Sequence, residues 1–153
     1  MGEELKRKAH LILGIGAVLA ILRPSVDDMI AYIILAALGS LIPDLDLKYK
    51  HRKTLHNIFI PPIITLGLTL ALSKALTLNP IYIYLAIIIA WLSHIIGDLF
   101  TVGGVAMLWP LKSKRIRLLK LRYDHPIVST IGLALGILGI AMWLYFKILK
   151  GII

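Results

Sequence analysis

Histidine and aspartate are the residues of this sequence whose types and spacing could do chemistry. His94 and Asp98 are four residues apart, so on a helix both side chains lie on one face and can reach one ion. Asp44 and Asp46 occur in a Pro-Asp-Leu-Asp stretch, where an irregular backbone can turn both carboxylates to one side. Imidazole and carboxylate form the ligand set of zinc, manganese or iron hydrolytic sites, whereas softer metals would need cysteine. The sequence has no cysteine, so these residues predict a hydrolytic type of metal centre.

Seven residues are candidate ligands of this centre, namely His10, Asp44, Asp46, His51, His56, His94 and Asp98. A catalytic zinc usually takes only three or four protein ligands. Two ions roughly 3.5–4 Å apart would use the set better and could activate a water against a phosphate ester. We therefore expect one or two divalent ions, with zinc as the first choice and manganese, iron or magnesium as alternatives.

The composition indicates that a membrane surrounds the elements that carry these groups. Of the 153 residues, 59% are hydrophobic and 16% are charged, and the formal net charge is +9. A soluble chain of this length cannot bury so much apolar surface, and the same numbers exclude a disordered chain. The lack of cysteine excludes a disulfide scaffold. With this apolarity, the basic excess favours a membrane protein with basic cytoplasmic loops over a nucleic-acid-binding protein.

Charged residues divide the chain into five apolar segments, over residues 9–22, 29–43, 57–76, 80–101 and 126–149. In lipid only helices and closed barrels satisfy their backbone hydrogen bonds, and no pattern of alternating strands is present. The sequence therefore predicts an all-α, polytopic helical bundle, a single membrane domain over 1–153 with about five transmembrane helices. The first two segments are short, and a re-entrant hairpin is the alternative for them. A cleaved signal peptide is not expected, because no cleavage site and polar mature domain follow the first segment.

Basic residues predict the orientation of the bundle. Thirteen of the seventeen Lys and Arg residues fall in the N-terminal tail, the loop after the second segment and the basic loop 102–125. The positive-inside rule places these regions in the cytoplasm, so we expect a cell-membrane protein with its N-terminus inside and its C-terminus outside. All five histidines then lie at the cytoplasmic side, together with Asp44, Asp46, Asp98 and Asp124. Taken singly these residues have ordinary structural explanations, but their shared depth favours one site.

The order of these motifs resembles that of the YdjM-like membrane-bound metal-dependent hydrolases, small polytopic proteins of bacteria and archaea. The resemblance runs from about His10 to Pro110 and is carried by His10 with Gly14, Pro43-Asp44-Leu45-Asp46, His51-Arg52 with His56, His94 with Asp98, Thr101, Gly104 and Trp109-Pro110. It implies a metal site made of Asp44, Asp46, His51, His56, His94 and Asp98. The family's centre reads roughly His-Arg-Gly-x-Thr-His-Ser, whereas this chain has His51-Arg52-Lys53-Thr54-Leu55-His56-Asn57, which keeps the ligands and changes their neighbours.

The function expected from these observations is hydrolysis of a membrane-delivered ester, foremost a lipid phosphate, at a metal site that faces the cytoplasm. Arg52 and Lys53 would hold the phosphate, Arg52 by a bidentate contact, and Thr101 is a further substrate-binding candidate. Asp124 or His125 would relay protons. The basic stretch 112–122 mainly marks topology, and it would also attract anionic headgroups, at about 1 kcal/mol per basic residue.

Two functions of other classes stay open. One is a metal-ion transporter or sensor with His94 and Asp98 as a transit site, although the outer halves of the predicted helices are almost purely apolar. The other is a membrane scaffold that is not catalytic. Membrane lipids are the expected partners, and no nucleic acid is expected, because the basic stretch lacks interleaved aromatic residues apart from Tyr123. Gly132 and Gly136 form a small-xxx-small pair, which predicts close packing within the chain or, alternatively, a homodimer interface.

Overall fold

The chain folds into five α-helices. A computed structural model describes the backbone of residues 2–49, 53–119 and 126–152, and the side chains of residue 4 and of residues 6–45, 53–119 and 126–149. The helices are α1 (Gly2–Leu22), α2 (Met29–Leu41), α3 (Ile60–Leu72), α4 (Pro80–Leu99) and α5 (Pro126–Ile152), and a 3₁₀ helix (Ile42–Tyr49) continues α2. Over the described ranges the β structure is limited to isolated bridge residues, among them the pair Val105 and Ile116. The prediction of an all-α fold with five helices is confirmed.

Proline, asparagine and the charged tail explain where the helices begin. Pro80 starts α4, and the preceding Asn79 caps it by accepting a hydrogen bond at Oδ1 from the backbone N–H of Ile81 at 2.9 Å. α1 begins seven residues before the predicted apolar segment, because the Glu, Leu, Lys and Arg residues of the tail are good helix formers. The start of α1 matters below, since it brings Lys6 onto the same helix as His10.

Two of the helices, Pro80–Leu99 and Pro126–Leu149, are long and apolar enough to cross a membrane. α2 and α3 have 13 residues each, which corresponds to about 20 Å of helix against a hydrocarbon core of about 30 Å. The prediction that residues 57–76 form a spanning helix is therefore not met, because a turn occupies residues 54–59 and α3 ends at Leu72. Fewer than five spans are evident, and the orientation of the chain stays a prediction.

α4 is the central helix of the bundle, and it contacts α1, α2 and α3, while α5 packs on α1. The core is apolar along most of α4, where Ile83, Ile87 and Trp91 are all fully buried. Many large apolar side chains on α2, α3 and α5 are exposed instead, among them Leu70 and Ile137. An apolar surface of this extent is expected where helices face lipid.

Glycine residues allow α1 and α5 to approach closely. A Cβ atom on Gly136 would overlap the backbone of Ile12, and one on Gly16 would overlap the backbone of Gly136. A Cβ atom on Gly132 would meet the Cβ atom of Ala9 at 3.5 Å, an ordinary contact. The small-xxx-small pair thus packs α5 against α1 within the chain, as the first of the two interpretations predicts. The homodimer stays a prediction.

Candidate metal centre

The carboxylate of Asp98 lies at the centre of a polar cluster near the C-terminal end of α4. This side chain is almost fully buried, and four polar side chains approach its two oxygens. The Nζ atom of Lys6 lies 2.7 Å from Oδ1, and Nε2 of His10 lies 3.5 Å from Oδ1. On the other oxygen, Nε2 of His56 lies 3.3 Å and Nε2 of His94 lies 3.7 Å from Oδ2. We call the end of the bundle that carries these five residues the polar end.

The three imidazole rings of the polar end contact one another. The rings of His10 and His94 stack with their centroids 4.2 Å apart, and the rings of His56 and His94 meet edge to face at 5.5 Å. His94 is 0% exposed, and neither of its ring nitrogens has a hydrogen-bond partner in the described part of the chain. Buried polar atoms are nearly always satisfied. A neutral imidazole carries a proton on one ring nitrogen and a lone pair on the other, so the nitrogen with the lone pair is free to bind a ligand such as a metal ion.

Asp44 adds a second carboxylate to the cluster. Its Oδ1 atom lies 3.7 Å from Nε2 of His94, and the 3₁₀ helix after α2 brings it there. Burial is the largest influence on this group and raises the pKa of the Asp44 carboxyl above its usual range. A buried carboxylate of this kind is stabilised by a nearby cation.

A divalent metal ion fits the residues present. One ligand atom each from His10, His94 and Asp98 can be chosen so that all three lie within 4.8 Å of one another. Ligands about 2.1 Å from a tetrahedral ion stand about 3.4 Å apart, so small side-chain rotations would bring the three atoms to an ion. Two imidazoles and a carboxylate are also the ligand set of known catalytic zinc sites. The spacing of His94 and Asp98, read from the sequence as one helix face, is confirmed by this arrangement.

The structure brings together five of the seven predicted ligands, namely His10, Asp44, His56, His94 and Asp98. His51 and the side chain of Asp46 lie outside the described residues, as do Arg52, Asp124 and His125. Thr101 is buried, and its hydroxyl donates to the carbonyl oxygen of Asp98 at 2.9 Å, at the C-terminal end of α4. Its part in substrate binding stays a prediction. Lys53 is half-buried, and its carbonyl oxygen accepts a hydrogen bond from Asn57.

Lys6 is the residue of the cluster that the sequence interpretation missed. Its ion pair with Asp98 is the shortest contact of that carboxylate, and the Lys6 side chain is only 12% exposed. In the sequence, Lys6 is one of the basic residues of the N-terminal tail that predict the topology. The spacing of Lys6 and His10, i and i+4 on α1, was the signal that could have identified it, because it places both on one helix face.

Gly97 makes room for the His10 ring against α4. A Cβ atom at this position would lie 2.6 Å from Cε1 and 2.9 Å from Nδ1 of His10. The ring therefore packs directly on the α4 backbone, between the turns that carry His94 and Asp98.

Replacing Gly97 by alanine is expected to push the His10 ring off this position and to weaken Zn²⁺ binding about 10- to 100-fold, comparable to the loss of a residue that orients a ligand. The substitution should not destabilise α4 itself, because alanine is a better helix former than glycine. Gly67→Ala is the matched control, since a Cβ atom there meets nothing within 4 Å. Titration calorimetry of both variants tests this, and equal affinities would contradict the role given to Gly97.

Asn57 holds the turn that delivers His56. It is fully buried, its Nδ2 donates to the carbonyl oxygens of Lys53 (2.9 Å) and Thr54, and its Oδ1 accepts from the backbone N–H groups of Phe59 (2.8 Å) and Ile60 (2.9 Å). The turn is tied to the bundle by Trp91, whose Nε1 donates to the carbonyl oxygen of Leu55 at 3.0 Å. His56 thus reaches Asp98 from a fixed loop.

Asn57→Ala should lower the free energy of unfolding by about 2–4 kcal/mol, since four hydrogen bonds at about 1 kcal/mol each are lost. Asn79→Ala is the control, because it removes one exposed cap bond and should cost about 1 kcal/mol. Thermal unfolding in detergent measures both. An equal fall of the two melting temperatures would show that the Asn57 turn is not a stabilising element.

The described part of the basic loop folds across the end of α4. Val105 and Ile116 exchange two backbone hydrogen bonds of 2.9 and 2.8 Å, and the N–H of Leu118 donates to the carbonyl oxygen of Leu99 at 2.8 Å. The N–H of Ile58 donates to Met107, which joins the loop to the turn before α3. Side chains of residues 111–119 are exposed, so the basic groups among them face outward beside the polar end.

Comparison with known proteins gave a family match over almost the whole bundle. A family model described as YdjM inner membrane protein matches residues 5–151. No curated protein and no solved structure matches the chain. The matched range contains Lys6, His10 and all the described residues of the polar end.

Proposed function

Because the chain belongs to the YdjM inner membrane protein family, we propose that it is a membrane-bound, metal-dependent hydrolase whose site lies at the polar end and faces the cytoplasm. The family membership confirms the resemblance drawn from the sequence. The observation that carries the proposal is the buried group of His10, His94 and Asp98, with two unsatisfied ring nitrogens on His94. A lipid phosphate or another phosphoester delivered by the membrane is the proposed substrate class.

A position next to a membrane suits such a substrate. The two long apolar helices and the exposed apolar side chains support a bundle in lipid, and the polar cluster lies at one end of it. A lipid whose acyl chains remain among the helices would present its headgroup at that depth. This geometry supports a lipid over a freely soluble ester.

Residues of four elements would hold the ion and its surroundings. His10, His94 and Asp98 are the proposed ligands, with Asp44 as the next carboxylate and His56 as the residue that orients Asp98 through its Oδ2 atom. When bound, a divalent ion supplies Lewis-acid activation of a water molecule and of a phosphoryl oxygen. Burial of His94 and Asp98 excludes bulk water and strengthens the charge interactions of the site.

Basic side chains would bring and hold the anionic headgroup. Arg52 and Lys53, which precede the Asn57 turn, are the proposed phosphate-binding residues, and Asp124 or His125 would relay protons. The exposed basic residues in the described part of the loop, Lys112, Lys114, Arg115 and Arg117, would attract anionic lipid at about 1 kcal/mol each.

A metal-ion transporter is the second candidate, and one observation favours it. Thr65 and Thr69 on α3 are buried, and their hydroxyls have no hydrogen-bond partner in the described part of the chain. They continue from the polar end toward the other end of α3. The rest of the described core along α4 is apolar, however, with Ile83 and Ile87 fully buried, and an ion path needs more polar groups than two hydroxyls.

Phosphate release from a panel of esters tests the proposal. Purified, Zn²⁺-loaded protein in detergent would be offered a diacylglycerol phosphate, a polyprenyl phosphate and a soluble phosphate monoester, with His94→Ala in parallel. We expect release from at least one lipid phosphate that a chelator abolishes and that His94→Ala lacks. If the protein bound metal but hydrolysed none of the esters, and if Zn²⁺ entered vesicles that carry the protein, the hydrolase proposal would be wrong and a metal-ion transporter would be the better assignment.

A further inference from the structure

The ammonium group of Lys6 lies where a second cation would stand at Asp98. We propose that Lys6 takes the place of a second metal ion, so that the centre holds one divalent ion beside the side chain of Lys6. The inference rests on the proposed function and specifies the charge and stoichiometry of its site. It also departs from the expectation that two ions would share the candidate ligands.

The two oxygens of Asp98 have different surroundings. Oδ1 has Lys6 Nζ at 2.7 Å, the distance of a close ion pair, and His10 Nε2 at 3.5 Å. Oδ2 has His56 and His94 at 3.3 and 3.7 Å. A carboxylate that bridges two metal ions offers one oxygen to each of them. Here the first oxygen is already engaged by a cation that belongs to the chain.

The charges of the polar end also favour one ion. The described side chains of the cluster include two carboxylates, Asp44 and Asp98, and one ammonium group, Lys6. Counted over these described groups alone, a single divalent ion brings the positive charge to one more than the carboxylate charge. A second divalent ion would raise the excess to three in a buried environment, where uncompensated charge is strongly unfavourable.

The space beside Lys6 is small. A cavity of about 20 Å³ lies between α1, α4 and α5, and Lys6, His10, Gly97 and Ser129 are among the residues that line it. This volume holds about one water molecule. A second metal ion beside Lys6 would need its own ligands and waters, and within the described residues this cavity has room for about one water only. The ammonium group needs only the carboxylate it already contacts.

Zn²⁺ stoichiometry and affinity of the wild-type chain, Lys6→Met and Lys8→Met test the inference. We expect one Zn²⁺ per wild-type chain and at least about tenfold tighter binding in Lys6→Met, because a positive charge close to the ion is removed. Lys8→Met is the matched control, since Lys8 is exposed and pairs with Glu4, and its affinity should stay within about twofold of wild type. Unchanged or weaker binding in Lys6→Met would overturn the assignment.

Lys6→Glu gives a second, independent readout. It places a carboxylate where the ammonium group stands, so we expect two Zn²⁺ ions per chain instead of one. A single ion in Lys6→Glu, or two ions in the wild type, would defeat the role of Lys6 and leave the proposed hydrolase untouched. Failure of the wild-type chain to bind any Zn²⁺ would defeat the proposed function, and the inference with it.

Discussion

Asp98→Asn is expected to lower the affinity for Zn²⁺ by more than about a hundredfold and to abolish metal-dependent phosphate release. Loss of a residue that only orients a metal ligand lowers metal affinity about 10- to 100-fold. Asp98 is itself the proposed anionic ligand, so its loss should have a larger effect. It also lies at the centre of the cluster, since Lys6, His10, His56 and His94 all approach it. Asparagine keeps the shape of the side chain, so the change removes charge with little change in packing.

The control for this prediction is Asp27→Asn, which removes a carboxylate from an exposed position at the opposite end of the bundle. Calorimetry with Zn²⁺ and the phosphate-release assay would be applied to both variants. We expect the control to match the wild type in both measurements. If Asp98→Asn bound Zn²⁺ within tenfold of the wild type, Asp98 would not be a ligand and the centre would have to lie elsewhere.

Gly136→Ala is expected to have the largest effect on stability, a loss of about 3 kcal/mol or more. The new Cβ atom would overlap the carbonyl group of Ile12 and the backbone of Leu13, and a backbone cannot rotate away as a side chain can. α1 would have to move off α5. Because α1 carries Lys6 and His10, weaker Zn²⁺ binding should accompany the lower stability.

Gly132→Ala is the matched control on the same helix. Its Cβ atom would lie 3.5 Å from that of Ala9, an ordinary contact, and alanine favours the helix by about 1 kcal/mol over glycine. Thermal unfolding in detergent should therefore separate the two variants, with Gly132→Ala at or above the wild type. Equal melting temperatures for both would show that the contact of Gly136 with α1 does not hold the bundle together.

The helices and the end of the bundle at which the polar residues meet could be predicted from the sequence because both depend on local patterns. The apolar runs between charged residues predict all five helices. The spacing of His94 and Asp98 predicts the face of α4 that carries the centre. The clustering of His10, Asp44 and His56 near that face followed from their position at the same end of successive helices.

The parts that could not be predicted depend on contacts between elements. Packing of α1 on Gly97 and on the glycines of α5 sets the rotation of α1 that turns both Lys6 and His10 toward α4. This rotation cannot be predicted from the hydrophobic periodicity of α1 alone. The short length of α3 follows from the Asn57 turn, whose hydrogen bonds compete with helix formation over residues 54–59. The hydrogen bond from the Thr101 hydroxyl to the carbonyl oxygen of Asp98 could likewise not be predicted from the sequence position of Thr101.

The metal content of the purified chain is the most direct test of the centre formed by His10, His94 and Asp98. Wild type and His94→Ala would be loaded with Zn²⁺, freed of unbound ion and measured by elemental analysis against protein concentration. We expect about one zinc per wild-type chain and less than about a tenth of that in His94→Ala, since a three-ligand site that loses a ligand no longer retains its ion. Equal zinc content in the two proteins would contradict the metal centre proposed for this membrane protein.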